Sequence, residues 1–263
     1  MEILVLVKQV PEVAEADLEI AGDATDLERE DLVLAINEWD NYAVEEAVRL
    51  KEEHGGRVTA LTLGGEEDQD VLRRALAMGA DEAIHLCDEA LTGSDPAGVA
   101  RVMAQAIRGR AFDLVLCGVQ SSDLGQAQTG VLLAGLLNLP HATMAVELKV
   151  KDGRLMVLRE LEANTQERVE LPLPALVSIQ SGINQPRYVS IMGIRKVRGL
   201  AIDQRGLDAL GLAEDQVGPA ASAMASRRLA LPQAGAGAEM LTGGLEAVCA
   251  RAAAIIREKG GLS

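Results

Sequence analysis

Val58-Thr59-Ala60-Leu61-Thr62-Leu63-Gly64-Gly65, followed by a helical stretch from Asp68 to Met78 and an apolar run from Glu82 to Leu86, decides the fold. Val58 to Leu63 carries no charge and stops at two glycines, which suits a strand covered on both faces. The same unit recurs on either side. Ile3 to Val7 is a continuous aliphatic run, and Asp40 is placed to cap a helix whose Ala43, Ala47, Val48 and Leu50 recur at helical spacing. Asp95-Pro96 opens a third helix to about Arg108, and Asp113 to Cys117 is another buried strand. Strands alternating with helices of this length predict right-handed βαβ units and a doubly wound, mostly parallel α/β sheet.

After Pro140 the period changes from helical to alternating. Thr143 to Val150, Arg154 to Glu162 and Arg168 to Leu171 read as strands, with a hairpin turn at Lys151-Asp152-Gly153. An antiparallel appendage over 143–171 is expected before Ala175 to Ile179 returns to the core. Residues 12–36 read as acidic and irregular, with a turn at Gly22-Asp23. Beyond Ile179 comes Gly182-Ile183-Asn184-Gln185-Pro186-Arg187-Tyr188-Val189-Ser190-Ile191, then Met192-Gly193-Ile194-Arg195-Lys196. Pro186 fixes φ there, and Ile191 stands beside basic residues on what reads as a loop. An apolar side chain displayed in that way suits the capture of a partner. From Asp203 the pattern loosens. The domain reading is therefore an α/β unit over 1–200 and a C-terminal arm over 201–263. The arm has linker-like runs at Gly218 to Ala221 and Gln233 to Gly237, and a terminal amphipathic helix from Leu245 to Glu258.

Nearly half of the 263 residues are hydrophobic, yet only Trp39, Tyr42, Phe112 and Tyr188 are aromatic, so the core is aliphatic and offers few platforms for stacked bases. The 40 acidic and 25 basic residues leave a net charge of −15, which opposes nucleic acid and anionic membrane as general partners. Cys87, Cys117 and Cys249 are odd in number and show no Cys-x-x-Cys spacing, as expected of reduced thiols in a cytoplasmic protein. No stretch approaches the apolar length of a membrane span. His54, His85 and His141 are scattered without ligand spacing, so no metal site is expected.

In open parallel sheets, ligands gather at the carboxyl ends of strands. The richest such end is Gly118-Val119-Gln120-Ser121-Ser122-Asp123-Leu124-Gly125-Gln126-Ala127-Gln128-Thr129-Gly130, which opens a helix from Val131 to Leu137. Backbone N–H groups and the Thr129 hydroxyl at a helix start suit a phosphate. An ordinary strand–helix turn would look much the same. Neither the dinucleotide glycine fingerprint nor the P-loop pattern is present.

Several segments together carry a resemblance. In order they are Val7-Lys8-Gln9-Val10-Pro11, the stretch Ala43 to Glu52, Ala75-Leu76-Ala77-Met78-Gly79-Ala80-Asp81, Gln128-Thr129-Gly130, Arg159-Glu160-Leu161-Glu162, Leu173-Pro174-Ala175 and Asn184 to Tyr188. The chain resembles the β subunit of electron transfer flavoproteins along most of residues 1–200. The resemblance implies an α-subunit partner that holds most of the redox FAD, with this chain approaching that flavin from the Lys8 side. It implies an adenine nucleotide enclosed by Gly118 to Thr129, by Asn37, Glu38, Trp39 and Asp40, and by backbone near Leu6 and Leu63. In non-bifurcating members that nucleotide is a structural AMP; in electron-bifurcating members it is a second, redox-active FAD. Thr129 after Gln128 looks like the AMP form. The docking anchor would be Ile191, with Tyr188, Arg195 and Lys196 around it. Dehydrogenases such as acyl-CoA dehydrogenases would donate electrons and a quinone oxidoreductase would accept them, with no catalytic residue in this chain.

This sequence departs from the family's pattern in places. Val13 stands where some members carry tyrosine, and Ser121-Ser122-Asp123 replaces Ala-Ile-Asp. Ala163-Asn164 replaces a glycine pair, with Asn164 expected to take a positive φ and Glu162 to face the α subunit. A different class, the universal-stress-type nucleotide-binding regulatory module, shares the βα alternation and a phosphate loop. It does not account for Asn184 to Ile191 or for the arm.

Overall fold

The computed structural model describes residues 1–13, 18–29, 32–232 and 237–260, so most of the linker-like Gln233 to Gly237 lies outside the described residues. The strands are β1 (Glu2–Leu6), β2 (Gln9–Pro11), β3 (Leu34–Ile36), β4 (Arg57–Leu63), β5 (Glu82–Leu86), β6 (Leu114–Gly118), β7 (His141–Lys151), β8 (Arg154–Glu160), β9 (Gln166–Pro172), β10 (Ala175–Ile179) and β11 (Asp203–Arg205). The α-helices are α1 (Glu38–His54), α2 (Gln69–Met78), α3 (Pro96–Ile107), α4 (Thr129–Leu137), α5 (Ile191–Val197), α6 (Leu207–Leu210), α7 (Gly218–Ala221) and α8 (Leu245–Glu258).

One nine-stranded sheet runs in the order β11-β5-β4-β1-β6-β10-β7-β8-β9. It is parallel from β11 to β7 and antiparallel across β7-β8-β9. The protein is thus a doubly wound α/β fold with an antiparallel appendage. Alternation along the central strands divides the core. Ile3, Val5, Leu114 and Leu116 meet α1 and α2 on one face, while Leu4, Leu6 and Val115 meet α3 and α4 on the other. The hairpin turn between β7 and β8 has positive φ at both Asp152 (51°) and Gly153 (72°), the geometry that matches strand twist.

Five features differ from the expectations. Residues 12–36 are not wholly irregular, because β3 returns to pair antiparallel with β2. Asp40 does not cap α1; Asn37 occupies the cap position, and Asp40 is buried in the first turn. β8 stops at Glu160, so Glu162 lies in a short 3-10 turn, where Ala163 (φ 55°) takes the positive φ expected of Asn164. Ile191 begins a helix, α5, which Ser190 caps by accepting from the Gly193 N–H at 3.1 Å. The exposed part of the C-terminal segment begins later than 201. β11 adds to the sheet edge beside β5, and Leu207, Leu210 and Val217 are buried against α3 and its neighbours.

Candidate functional site

The chain passes from β1 to β4 to β5 on one side, then crosses to β6 on the other side of β1. The carboxyl ends of β1 and β6 therefore flank the point where the winding reverses, the place where open α/β sheets form a crevice. One side chain joins the two ends. Asp40 Oδ2 accepts from the Lys8 N–H at 2.9 Å, and Asp40 Oδ1 accepts from the Gly118 N–H at 2.8 Å. Gly118 is required at this approach, because a Cβ there would meet Asp40 Oδ1 at 2.4 Å and Trp39 Cβ at 2.7 Å. Burial pushes the Asp40 carboxyl up to about 7, against the pull of its N–H donors. Burial likewise raises the neighbouring Cys117 thiol, so that cysteine is inert.

Asn37 fixes the start of the long loop. Its Nδ2 donates to Gln120 O at 2.8 Å, and its Oδ1 accepts from the Ser122 N–H at 3.2 Å. Lys8 crosses from the other side, with Nζ donating to Asp123 at 2.6 Å and to the Ser121 hydroxyl at 3.3 Å. Burial raises the Asp123 carboxyl, but the bonds from Lys8 and Ser121 outweigh it and hold the group below its ordinary value. Gly125 (φ 60°) and Ala127 (φ 53°) turn the loop into α4, whose first turn has no side-chain cap. Uncapped N–H groups at a helix start are donors for an anion, and half-buried Thr129 stands at that start. Trp39 Nε1 donates to Gln180 Oε1 at 2.9 Å, and Gln180 Nε2 donates to Glu160 at 3.3 Å, which ties the segment to the appendage.

The structure thus brings Lys8, Asn37, Trp39, Asp40 and the loop 118–129 together, with Leu6 at the end of β1. Glu38 begins α1 and Leu63 ends β4 at the neighbouring strand end. Sequence reasoning missed two features. Asp40 acts as a bridge between strands, and Asp68 stands over Gly64, where a Cβ would meet its Oδ2 at 2.0 Å. Burial raises Asp68 to about 6. Neither partnership leaves a local pattern. Buried His85, on β5, has no hydrogen-bond partner at either ring nitrogen.

The second group of expected residues lies away from this crevice. Tyr188 is 89 % exposed and Ile191 72 %, with Arg195 and Lys196 exposed in the last turn of α5. A cleft of about 440 Å³ separates α5 from α2 and is lined by Asp70, Arg73, Ile191, Ile194, Arg195 and Arg198, among others. No helix of the described residues is long and apolar enough to cross a membrane.

Residues 25–208 match the model of the electron transfer flavoprotein domain family. The electron transfer flavoprotein subunit beta of Methylophilus methylotrophus is 38 % identical over 262 residues, covering 98 % of each chain. The corresponding subunit of Bacillus subtilis is 38 % identical over 185 residues, 70 % of this chain and 72 % of its own. A subunit of the caffeyl-CoA reductase-Etf complex of Acetobacterium woodii is 35 % identical over 245 residues, 92 % of each. A family match across most of the α/β unit, joined to a relative matching end to end, leads to one assignment: the chain belongs to the electron transfer flavoprotein family, among its β subunits.

Proposed function

We propose that this chain works as the scaffold and docking subunit of a heterodimeric electron carrier. It would hold an adenine nucleotide, shape one wall of the FAD pocket of an α subunit, and present Ile191 to electron donors such as acyl-CoA dehydrogenases. The carrier would then deliver electrons to a quinone oxidoreductase. The observation that carries this reading is the pairing of an open, uncapped phosphate-type loop with a separate exposed apolar helix flanked by basic residues. FAD supplies the one-electron chemistry when bound. The residues of this chain do the binding and the positioning.

The loop fits a nucleotide phosphate on two counts. The first turn of α4 carries no side-chain cap, and Thr129 stands at its start. Asn37 and Asp40 hold the loop's origin, so its N–H groups are arranged before a ligand arrives. AMP is the proposed occupant. The Lys8 to Pro11 side, with β2 stiffened by β3, is the proposed wall of the flavin pocket. Unpaired cysteines accord with a cytoplasmic setting.

The test is to co-express the chain with its α subunit, denature the purified complex and quantify released nucleotides by chromatography. One FAD and one AMP per heterodimer is the expected result. Two FAD and no AMP would replace it with a bifurcating carrier that oxidises NADH on this subunit's own flavin. The absence of a stable flavin-containing complex would overturn both readings.

A further inference from the structure

Three large apolar side chains stand in water within five residues: Tyr188 at 89 %, Ile191 at 72 % and Met192 at 60 % exposure. A seven-residue helix with no buried residue has little of its own to keep it formed in that state. Left free, such a segment would fold its apolar groups back onto the protein. Two arginines hold the segment at its opposite ends.

At the entry, Arg187 grips α1. Its Nε donates to Glu45 Oε2 at 2.9 Å and its Nη2 to Glu45 Oε1 at 3.1 Å, a two-pronged pair, and its backbone N–H adds a third bond to Glu45 at 3.0 Å. Nη1 also donates to Glu52 at 2.9 Å. Three residues earlier in the chain, Asn184 Nδ2 donates to Tyr42 O at 3.1 Å and to Glu46 at 2.9 Å. At the exit, Arg73 of α2 donates to the carbonyls of Val197, at 3.0 Å, and Leu200, which lie at and just beyond the end of α5. Between the two grips, Val189 and Val197 pack on the core while Tyr188, Ile191 and Met192 stay exposed.

We infer that Arg187 and Arg73 are positioning residues for partner docking: together they clamp 188–197 so that Ile191 is presented in its bound shape before a partner arrives. A preordered segment spares the partner the entropy of ordering it, so the clamp acts on encounter with the partner and leaves the flavin untouched. This inference rests on the docking reading of Ile191 given above.

Arg187→Ala would leave the buried Glu45 carboxylate unpaired and risks misfolding. Arg187→Lys keeps the charge while losing the fork. Arg73→Ala weakens the other end and strands no buried charge. Each variant is made in the α–β heterodimer and read in two ways. In hydrogen exchange, the amides of Ile194 to Arg198 should exchange faster, with β1 and β6 unchanged. In steady-state transfer from an acyl-CoA dehydrogenase reduced by its own substrate, the KM for the flavoprotein should rise about tenfold while kcat stays within about twofold. Ile191→Ala is the control. Unchanged exchange in both variants overturns the clamp. So does an unchanged KM where Ile191→Ala raises it. If Ile191→Ala leaves KM unmoved, or the wild type accepts no electrons, the docking reading fails and the exchange result alone decides the clamp.

Discussion

The Asp40 carboxylate takes one N–H from each strand end at the reversal of the winding, Lys8 after β1 and Gly118 at the end of β6, while almost cut off from water. Two donors facing two oxygens favour the charged form, and burial opposes it; burial wins, lifting the group to about 7. An acid whose folded value is raised stabilises most below its unfolded value, near 3.8, and that contribution is lost as pH rises through about 7. The stability margin of the wild type over Asp40→Asn should therefore narrow between about pH 4 and pH 7, by on the order of 2–4 kcal/mol. Paired urea melts across that range measure it, and a margin independent of pH would refute the argument. The residues alone suggested a helix cap here, and the family likeness placed Asp40 beside the nucleotide; neither suggested a bridge between strand ends. An aspartate at a helix start is ordinarily one, and Gly118 lies far along the chain from it. Through likeness to a family, Asn37 and the loop 118–129 were expected around a nucleotide and Lys8 on the side facing the flavin. Their mutual bonds, such as Lys8 to Asp123, have no local signature.

Among the elements, those long enough to display a period were legible, and those made by their neighbours were not. β5 was expected from Glu82 to Leu86 and α8 from Leu245 to Glu258, and both have those bounds. β2, β3 and β11 have three residues each, too few for alternation to register. β11 exists because β5 offers an edge and because Arg205 Nη1 donates to Ala106 O at 2.9 Å from α3. α5 was taken for a loop because its leading apolar residues, Ile191 and Met192, are exposed and seven residues are too few to mark a core stripe. The start of α3 was legible through Asp95-Pro96. Asp95 Oδ1 accepts from the Gly98 N–H at 2.8 Å, and its Oδ2 accepts from the Ala223 N–H at 2.7 Å, so it caps the helix and pins the start of the arm. Asp95→Ala should cost about 1–2 kcal/mol in thermal or denaturant unfolding. The Gly98 bond holds this carboxyl below its ordinary value, so its contribution is present above about pH 4 and lost on further acidification.

At the scale of the whole molecule, the chain divides into a sheet-centred body that ends near Ser222 and a long segment with little to hold it. Ser222 and Ala223 still bond to the α3 start, whereas Leu231, Met240 and Leu245 lie open to water and α8 buries none of its residues. Among the described residues, the arm beyond Met224 returns to the body by a backbone bond from Leu229 to Ala24. A helix with apolar side chains, none of them buried among the described residues, gains stability by covering them on another subunit. If the α subunit is that cover, deleting everything after Met224 should leave the body's melting temperature within about 2 °C, since it removes no core residue. The same deletion should weaken the heterodimer at least about tenfold, as seen by sedimentation of equimolar subunits. A truncated chain that binds its partner undiminished would free the arm from that role. One whose own melting temperature collapses would show that the arm packs on the body.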